Sequence, residues 1–304
     1  MYSNGDKTTV LIDTRPQRAQ RLAGRGDVPA RLGRYLIQRE LGRGAMGVVY
    51  RARDPVINRE VALKAIPLQN EFEGADLAAV RAKFFREAET AGRLSHPHIV
   101  TIYDAGDADG TAYIAMELLR GRHLIEHTSL TRLLPPSIAI EIMARLAGAL
   151  HYAHGQGVVH RDVKPANVMF DAPSGELKLT DFGIARLTDA GRTRTGVVLG
   201  TPSFMSPEQL QGRELTGQSD LFSLGVTLYQ LLAGQLPFRA DSMPALMLRI
   251  AHEPHDPLSV VRPDLPIGID RIVDRILAKE PADRFASGAE FALALREYNE
   301  PTSG

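Results

Sequence analysis

The sequence predicts an α+β fold in two parts, a small β-rich lobe followed by a larger, mainly helical lobe. Three observations predict it. Short runs rich in β-branched and aromatic residues crowd the stretch from Tyr35 to Leu118. A single amphipathic helical stretch interrupts them. Beyond it, apolar residues recur with helical spacing to the end of the chain.

The elements follow in order. Residues 1–34 carry seven basic side chains (Lys7, Arg15, Arg18, Arg21, Arg25, Arg31, Arg34) against three acidic ones (Asp6, Asp13, Asp27), with Gly24, Gly26 and Pro29 as breakers. That composition predicts a mostly disordered basic tail over 1–33. Strands are expected at Tyr35–Leu41, Val48–Arg53 and Glu60–Ile66. A helix then carries Leu77, Val80, Phe84, Ala88 and Ala91 on one face, and strands at Ile99–Asp104 and Thr111–Leu118 close the first lobe. The folded domain is expected over 34–298, with lobes at 34–117 and 120–298 and a short tail at 299–304. In the second lobe a helix over Ser137–His154 places Ile138, Ile142, Leu146, Ala149 and Ala153 on one stripe and stops at Gly155. Leu221–Leu232, Asp270–Lys279 and Ser287–Tyr298 are further helices, the last opened by the capping box Ser287-x-x-Glu290.

Composition excludes more than it names. The 304 residues hold 36 Lys and Arg against 36 Asp and Glu, 44% hydrophobic residues and no cysteine. Zero formal charge argues against bulk electrostatic binding of nucleic acid or of a membrane surface. The lack of cysteine removes disulfides, thiolate metal sites and a cysteine nucleophile. No apolar run approaches the ~18 residues of a membrane span, and the start lacks a secretory apolar core. A cytoplasmic chain is the expectation, with membrane tethering if it belongs to a longer protein.

The chemistry begins at Leu41-Gly42-Arg43-Gly44-Ala45-Met46-Gly47-Val48-Val49. A glycine-rich turn between strands lets the backbone approach a phosphate and aim its N–H groups at it. Dinucleotide folds use a similar pattern, but there a helix follows the glycines, whereas here Val48-Val49-Tyr50-Arg51 continues as a strand. Lys64 follows 22 residues after Gly42 in Val61-Ala62-Leu63-Lys64, where alternation places Lys64 on the face of Ala62 and Val49, two residues suited to sandwiching a flat base. Glu87 on the helix can orient its ammonium; a solvent-facing charge is the plain alternative.

His160-Arg161-Asp162-Val163-Lys164-Pro165-Ala166-Asn167 is the decisive stretch. Asp162 can accept a proton from an attacking hydroxyl, Lys164 can neutralise phosphate oxygens, and Asn167 offers a neutral oxygen ligand suited to Mg²⁺. Asp181-Phe182-Gly183, beginning 19 residues after Asp162, adds a carboxylate for metal and an apolar plug.

In this order the motifs resemble the catalytic domain of protein kinases, specifically bacterial Ser/Thr kinases similar to eukaryotic ones. The resemblance implies a bilobal fold with ATP in the cleft. By it, Gly42, Gly44 and Gly47 lie over the phosphates, Lys64 meets the α/β-phosphates with Glu87 as its partner, and Asp162 is the base. Lys164 contacts the γ-phosphate, and Asn167 and Asp181 hold Mg²⁺, with Mn²⁺ as an alternative. Met116 is the gatekeeper, the backbone of Glu117 and Leu119 pairs with adenine, and Met169 floors the pocket. Lys164 together with Thr201 in Gly200-Thr201-Pro202 implies protein substrates with Ser or Thr acceptors. Arg161 implies a grip on a phosphate of the segment 181–208, with Thr193 and Thr195 as self-modified sites. Pairing of two copies through the small lobe is a further implication.

The chain departs from the family pattern at Ser206-Pro207-Glu208, at Asp220-Leu221-Phe222-Ser223 and at Arg120, but no catalytic part is missing. Glu208 is expected to pair with Arg284, and Asp220 to brace the loop before Asp162. A scaffold without activity, a small-molecule phosphotransferase and a slow ATP-binding regulator are the competing readings. The first lacks support because base, lysine and metal ligands are all present.

Overall fold

The computed structural model describes residues 29–44, 47–70, 74–182 and 202–300. Six strands form the first lobe: β1 (Arg31–Leu32), β2 (Tyr35–Gly44), β3 (Gly47–Asp54), β4 (Arg59–Ile66), β5 (Ile102–Ala108) and β6 (Thr111–Met116), antiparallel in the order β1-β2-β3-β4-β6-β5. One face of the sheet buries Tyr35, Tyr50, Ala52, Val61 and Leu63. The other receives α1 (Gly74–Gly92), whose Val80, Phe84 and Ala88 pack with Ile66, Leu68 and Ile114. Each large apolar side chain so buried contributes roughly 1.5–3 kcal/mol. The sheet starts earlier than residue 34. Gly33, at φ +55, turns β1 back onto β2, and Arg34 then bridges Asp54 (3.2 Å) and Asp104 (3.1 Å).

The second lobe surrounds two long helices, α2 (Pro136–Gly155) and the helix Gly217–Ala233. The latter is α4, since the short α3 (Pro207–Leu210) precedes it. It is capped by Thr216 and ends at Gly234 in the left-handed conformation, φ +70. Nearly all of α4 is buried, including the polar Ser219, Asp220, Ser223 and Thr227. The helices α5 (Met243–His252), α6 (Leu258–Val261), α7 (Ile269–Ile276) and α8 (Gly288–Asn299) complete the lobe. Gly288 lets α8 lie close on α2, because a Cβ there would stand 2.3 Å from the carbonyl oxygen of Ala147.

Three short strands, β7 (Arg122–His123), β8 (Val168–Asp171) and β9 (Glu176–Leu179), form a second sheet beneath the cleft. The lobes meet along β9. The N–H of Val100 donates to the carbonyl of Leu179 (3.0 Å), and the N–H of Leu179 donates to that of His98 (2.9 Å).

Several expectations change in detail. Ile138 is exposed on α2, whereas the other four expected positions, Ile142, Leu146, Ala149 and Ala153, are buried together with Ala139, Met143, Ala147 and Leu150. The predicted strand Ile99–Asp104 begins at Ile102, since residues 98–100 are occupied in bonding to β9. At Ser287 only half of the capping box forms. Its hydroxyl accepts from the N–H of Glu290 (3.2 Å), but the Glu290 carboxylate accepts from Ala286 (2.7 Å). The complete box is at Ser206 and Gln209.

Candidate active site

Strand alternation builds the upper wall of the cleft. Val49 pairs across to Lys64, and Ala62 pairs across to Met116. Ala62, Val100 and Met116 form a small buried cluster, with Val49, Leu118 and Leu119 packed against it. Val48 lies on the opposite face, in the core with Tyr35 and Tyr50. Neighbouring strand residues point to opposite faces, so of this pair the Val49 side chain faces the cleft and Val48 adjoins it through its backbone. Met169 sits half-buried on β8, opposite His123 and Lys178 and outside that cluster.

Beyond Met116 the chain crosses between the lobes. The N–H of Glu117 donates to the carbonyl of Thr101 (2.9 Å), and its carboxylate is held by Lys178 (2.6 Å) and by the N–H of Thr101 (3.2 Å). Among the described residues, the carbonyl of Glu117 and the N–H of Leu119 have no backbone partner. That edge offers one acceptor and one donor.

Above it β2 and β3 pair Gly42 with Val49 and Gly44 with Gly47. A Cβ at Gly42 or Gly44 would meet nothing within 4 Å, so packing does not demand glycine there. Gly47 differs: at φ +139 its Cβ would lie 2.1 Å from the carbonyl oxygen of Ala65. Leu41 and Arg43 are exposed, and Arg43 pairs with Glu40 (2.7 Å). Ala45 and Met46 lie outside the described residues.

The lower wall is the loop after α2. His160 is fully buried, its Nε2–H donating to the carbonyl of Thr180 (2.8 Å) and its ring lying 4.5 Å from that of Phe182. Its Nδ1 accepts from the N–H of Asp162 (3.2 Å), so the neutral tautomer is fixed. Arg161 has φ +70, uncommon for a side chain of its size. The buried carboxylate of Asp220 holds this strained turn by accepting from the N–H groups of His160 (2.8 Å) and Arg161 (2.7 Å) and from His154 (2.8 Å). From the other side, Gln209 donates to the carbonyl of Arg161 (3.0 Å).

That frame presents Asp162. Its carboxylate accepts from Lys164 Nζ at 2.8 and 2.7 Å and from Asn167 Nδ2 at 2.9 Å. Asn167 is itself fixed, donating also to the carbonyl of Asp162 (2.8 Å) and accepting at its own carbonyl from Thr180. Across the cleft Lys64 donates to Asp181 (2.7 Å), a residue at φ +65. Burial pushes the Asp181 carboxyl up, but the charge and hydrogen bond of Lys64, with Lys164 behind, bring it below the usual carboxylate range.

Lys64, nearly buried, takes Asp181 as its counter-charge in this structure. Asn167 and Asp181 supply hard oxygen donors, a set that suits a divalent ion completed by phosphate oxygens. Among the described residues no group of three His, Asp or Glu side chains could hold such an ion alone. Gly183, Thr193, Thr195 and Thr201 lie outside the described residues.

Residues 35–294 match the model of the protein kinase domain. The chain belongs to this family. Among its curated relatives, the kinase domain is 40% identical over 272 residues to the serine/threonine-protein kinase PknD of Mycobacterium tuberculosis, covering 89% of this chain and 40% of that protein. It is 37% identical to PrkC of Bacillus subtilis, covering 87% and 40%. The crystal structure of the M. tuberculosis PknI kinase domain superposes with a TM-score of 0.70 at 35% identity, covering 88% of this chain and 97% of that one. The chain thus spans less than half the length of these two curated relatives. As a kinase domain it has the two lobes of its family, which uses ATP with a divalent metal on protein substrates.

Two parts of this site had no role of their own in the sequence reading: His160, although it opens the stretch that carries Asp162, and Lys178, whose contact with Glu117 spans 61 residues. Gln209 is legible as the partner of Ser206 in a capping box, but its bond to Arg161 across 48 residues is not.

Proposed function

We propose that this kinase domain transfers the γ-phosphoryl group of ATP to Ser and Thr hydroxyls of proteins, with Mg²⁺ as the metal it uses. The observation that carries this reading is the doubly anchored carboxylate of Asp162, which faces the cleft with Lys164 and Asn167 on it. Adenine would lie between Val49, Ala62 and Met116 and pair with the free edge of Glu117 and Leu119. The glycines at 42 and 44, which packing does not require, leave room for phosphates.

In the transfer, the acceptor oxygen bonds to the γ-phosphorus while the bridging β–γ bond breaks and ADP leaves. Asp162 takes the hydroxyl proton, and Lys164 steadies the charge on the transferred oxygens. Asn167 and Asp181 would hold Mg²⁺, which when bound neutralises phosphate charge. Lys64 would exchange Asp181 for the α/β-phosphates, and Glu87 would orient it.

Thr193 and Thr195 are proposed as self-modified sites, with Arg161 as the phosphate's partner. That the curated relatives are serine/threonine-protein kinases supports Ser/Thr acceptors, and Thr201 would help Lys164 position them. Among the described residues no helix is long and apolar enough to cross a membrane. A cytoplasmic site of action is part of the proposal. The exposed Val56 and Ile57 at the β3–β4 turn favour pairing of two small lobes.

The test is incubation with ATP and Mg²⁺ followed by intact-mass measurement of wild type, Asp162→Asn and the Thr193→Ala/Thr195→Ala double variant. Phosphate gain in wild type alone is expected. Equal gain in Asp162→Asn would remove Asp162 as base, and full gain in the double variant would remove the two threonines.

A further inference from the structure

The loop between α1 and β5 carries two histidines, His96 and His98, at the place where the lobes meet. The N–H of His98 donates to Nδ1 of His96 (3.1 Å), whose ring stacks on that of Tyr152 in α2 with centroids 5.3 Å apart. The Tyr152 hydroxyl accepts in turn from the N–H of Ser95 (3.1 Å). The loop is thus laid against α2 before it reaches β9.

His98 then spans the junction. Its Nδ1–H donates to the carbonyl of Leu177 on β9 (3.1 Å), which leaves Nε2 to accept from Arg145 Nε on α2 (3.2 Å). Arg145 is held in place by a second bond, to the carbonyl of Gly175 (2.9 Å). The backbone of the same histidine takes part as well, because the carbonyl of His98 accepts from the N–H of Leu179. A side-chain contact and a backbone bond between the lobes therefore share one residue.

Only the neutral imidazole fits this arrangement. A proton on Nε2 turns the acceptor into a charged donor aimed at a guanidinium. The surroundings give it no counter-charge. The groups facing His98 are His96 on its own loop, Arg145 on α2 and Lys178 on β9, and Lys178 is already matched by Glu117 (2.6 Å). Among the described residues no carboxylate pairs with His98 or Arg145. Burial and the charge of Arg145 hold the His98 imidazole below its ordinary value, Lys178 adds to them, and the bond to Leu177 opposes. Burial and the charges of His98 and Lys178 lower His96 in the same way.

We propose that the His98–Arg145 contact is a proton-sensitive tie between the lobes, which holds while the imidazole is neutral and opens the junction at residues 98–100 when Nε2 is protonated. The opened loop takes up its proton near the ordinary histidine value of about 6.5, the closed one only at lower pH. The tie is therefore intact above about pH 6.5 and is lost as pH falls through the lowered value. Leu179 lies two residues before Asp181, so the opening acts on the strand that leads to that carboxylate.

The test is hydrogen exchange of the N–H groups of Val100 and Leu179, with that of Leu228 inside α4 as reference, in wild type and in His98→Gln, whose amide takes up no proton. His96 keeps its own titration in both proteins. The ratio of wild-type to variant exchange at Val100 and Leu179 should rise below about pH 6.5, by up to about tenfold per pH unit, with Leu228 unchanged. A ratio independent of pH, or an equal rise at Leu228, overturns the inference. If His98→Gln does not fold, an NMR titration of the His98 ring in wild type and in Arg145→Met decides. The midpoint should lie below about 6.5 in wild type and move up in Arg145→Met, whereas a wild-type midpoint at about 6.5 rejects the tie.

Discussion

Replacing Arg284 by alanine tests how the second lobe is held beneath the cleft. Its guanidinium makes five hydrogen bonds: to both oxygens of Glu208 (2.8 and 2.9 Å) and to the carbonyls of Ala278 (2.9 Å), Gln218 (2.8 Å) and Lys279 (3.0 Å). Both charged partners are almost wholly buried. Removing the cation strands a carboxylate that keeps the hydroxyl of Ser219 (2.8 Å) and a backbone N–H. Breaking such a pair costs about 3–5 kcal/mol. At about 2–4 °C per kcal/mol for a domain of this size, the melting temperature should fall by roughly 6–20 °C.

The pH dependence carries a second signature of this pair. Burial pushes the Glu208 carboxyl up, but the hydrogen bond and charge of Arg284 overcome this and leave it lowered in the folded protein. The pair's contribution is therefore complete above the unfolded-state value of about 4.3 and is lost as pH falls toward the folded value. In Arg284→Ala burial, the largest influence, outweighs the remaining backbone and Ser219 hydrogen bonds and raises that carboxyl, so protonation relieves the variant as pH falls. Urea and thermal unfolding of both proteins should show a stability gap that narrows from about pH 7 to about pH 4. A variant melting within about 2 °C of wild type at neutral pH, or a gap independent of pH, would refute this account of the pair.

Asp220→Asn keeps the shape of the brace but weakens the charge-assisted bonds to His160, Arg161 and His154; autophosphorylation should slow about tenfold or more while KM for ATP changes little. Gly47→Ala must displace the carbonyl of Ala65 and adopt a strained φ, so denaturant titration should show a loss of about 1–3 kcal/mol. Gly42→Ala, where the space is open, should stay within about 0.5 kcal/mol. Burial lowers the Lys279 ammonium to about 8, with the charge of Arg284 adding to the effect. Between about 8 and the unfolded-state value of about 10.4, the unfolded chain holds the extra proton, so this group makes stability rise with pH. Urea titrations across that window should lose this component in Lys279→Met, and an unchanged pH slope would speak against it.

What was legible in the sequence was local. The strands of the first lobe, α2 and α4 announce themselves by periodicity, and Ser206-Pro207 by its cap. The strands β7, β8 and β9 have two to four residues each, too short for any period to show. α5 was hidden because only Ile250 of its ten residues is fully buried, which leaves no clear stripe. At the site, the order of Gly42, Lys64, Asp162, Asn167 and Asp181 could be read directly, as could the face shared by Val49, Ala62 and Lys64. The counter-charge of Lys64 could not. It depends on where α1 settles against the sheet and on a carboxylate 117 residues away. Nor could the left-handed Arg161, whose strain is borne by Asp220 on another helix.

The seam between residues 98–100 and Leu179 has a mechanical consequence. Because it lies beside the crossing at Glu117, which Lys178 clasps from the same β9, the small lobe is attached along a line rather than at a point. A lobe so attached can rock about that line but cannot twist or slide across it without breaking backbone bonds. Asp181 stands two residues beyond the axle and Lys64 above it, so rocking changes their separation while the floor of the cleft stays level. The join between the lobes works as a door hinge with its pin in place, and the Lys64–Asp181 pair is its latch.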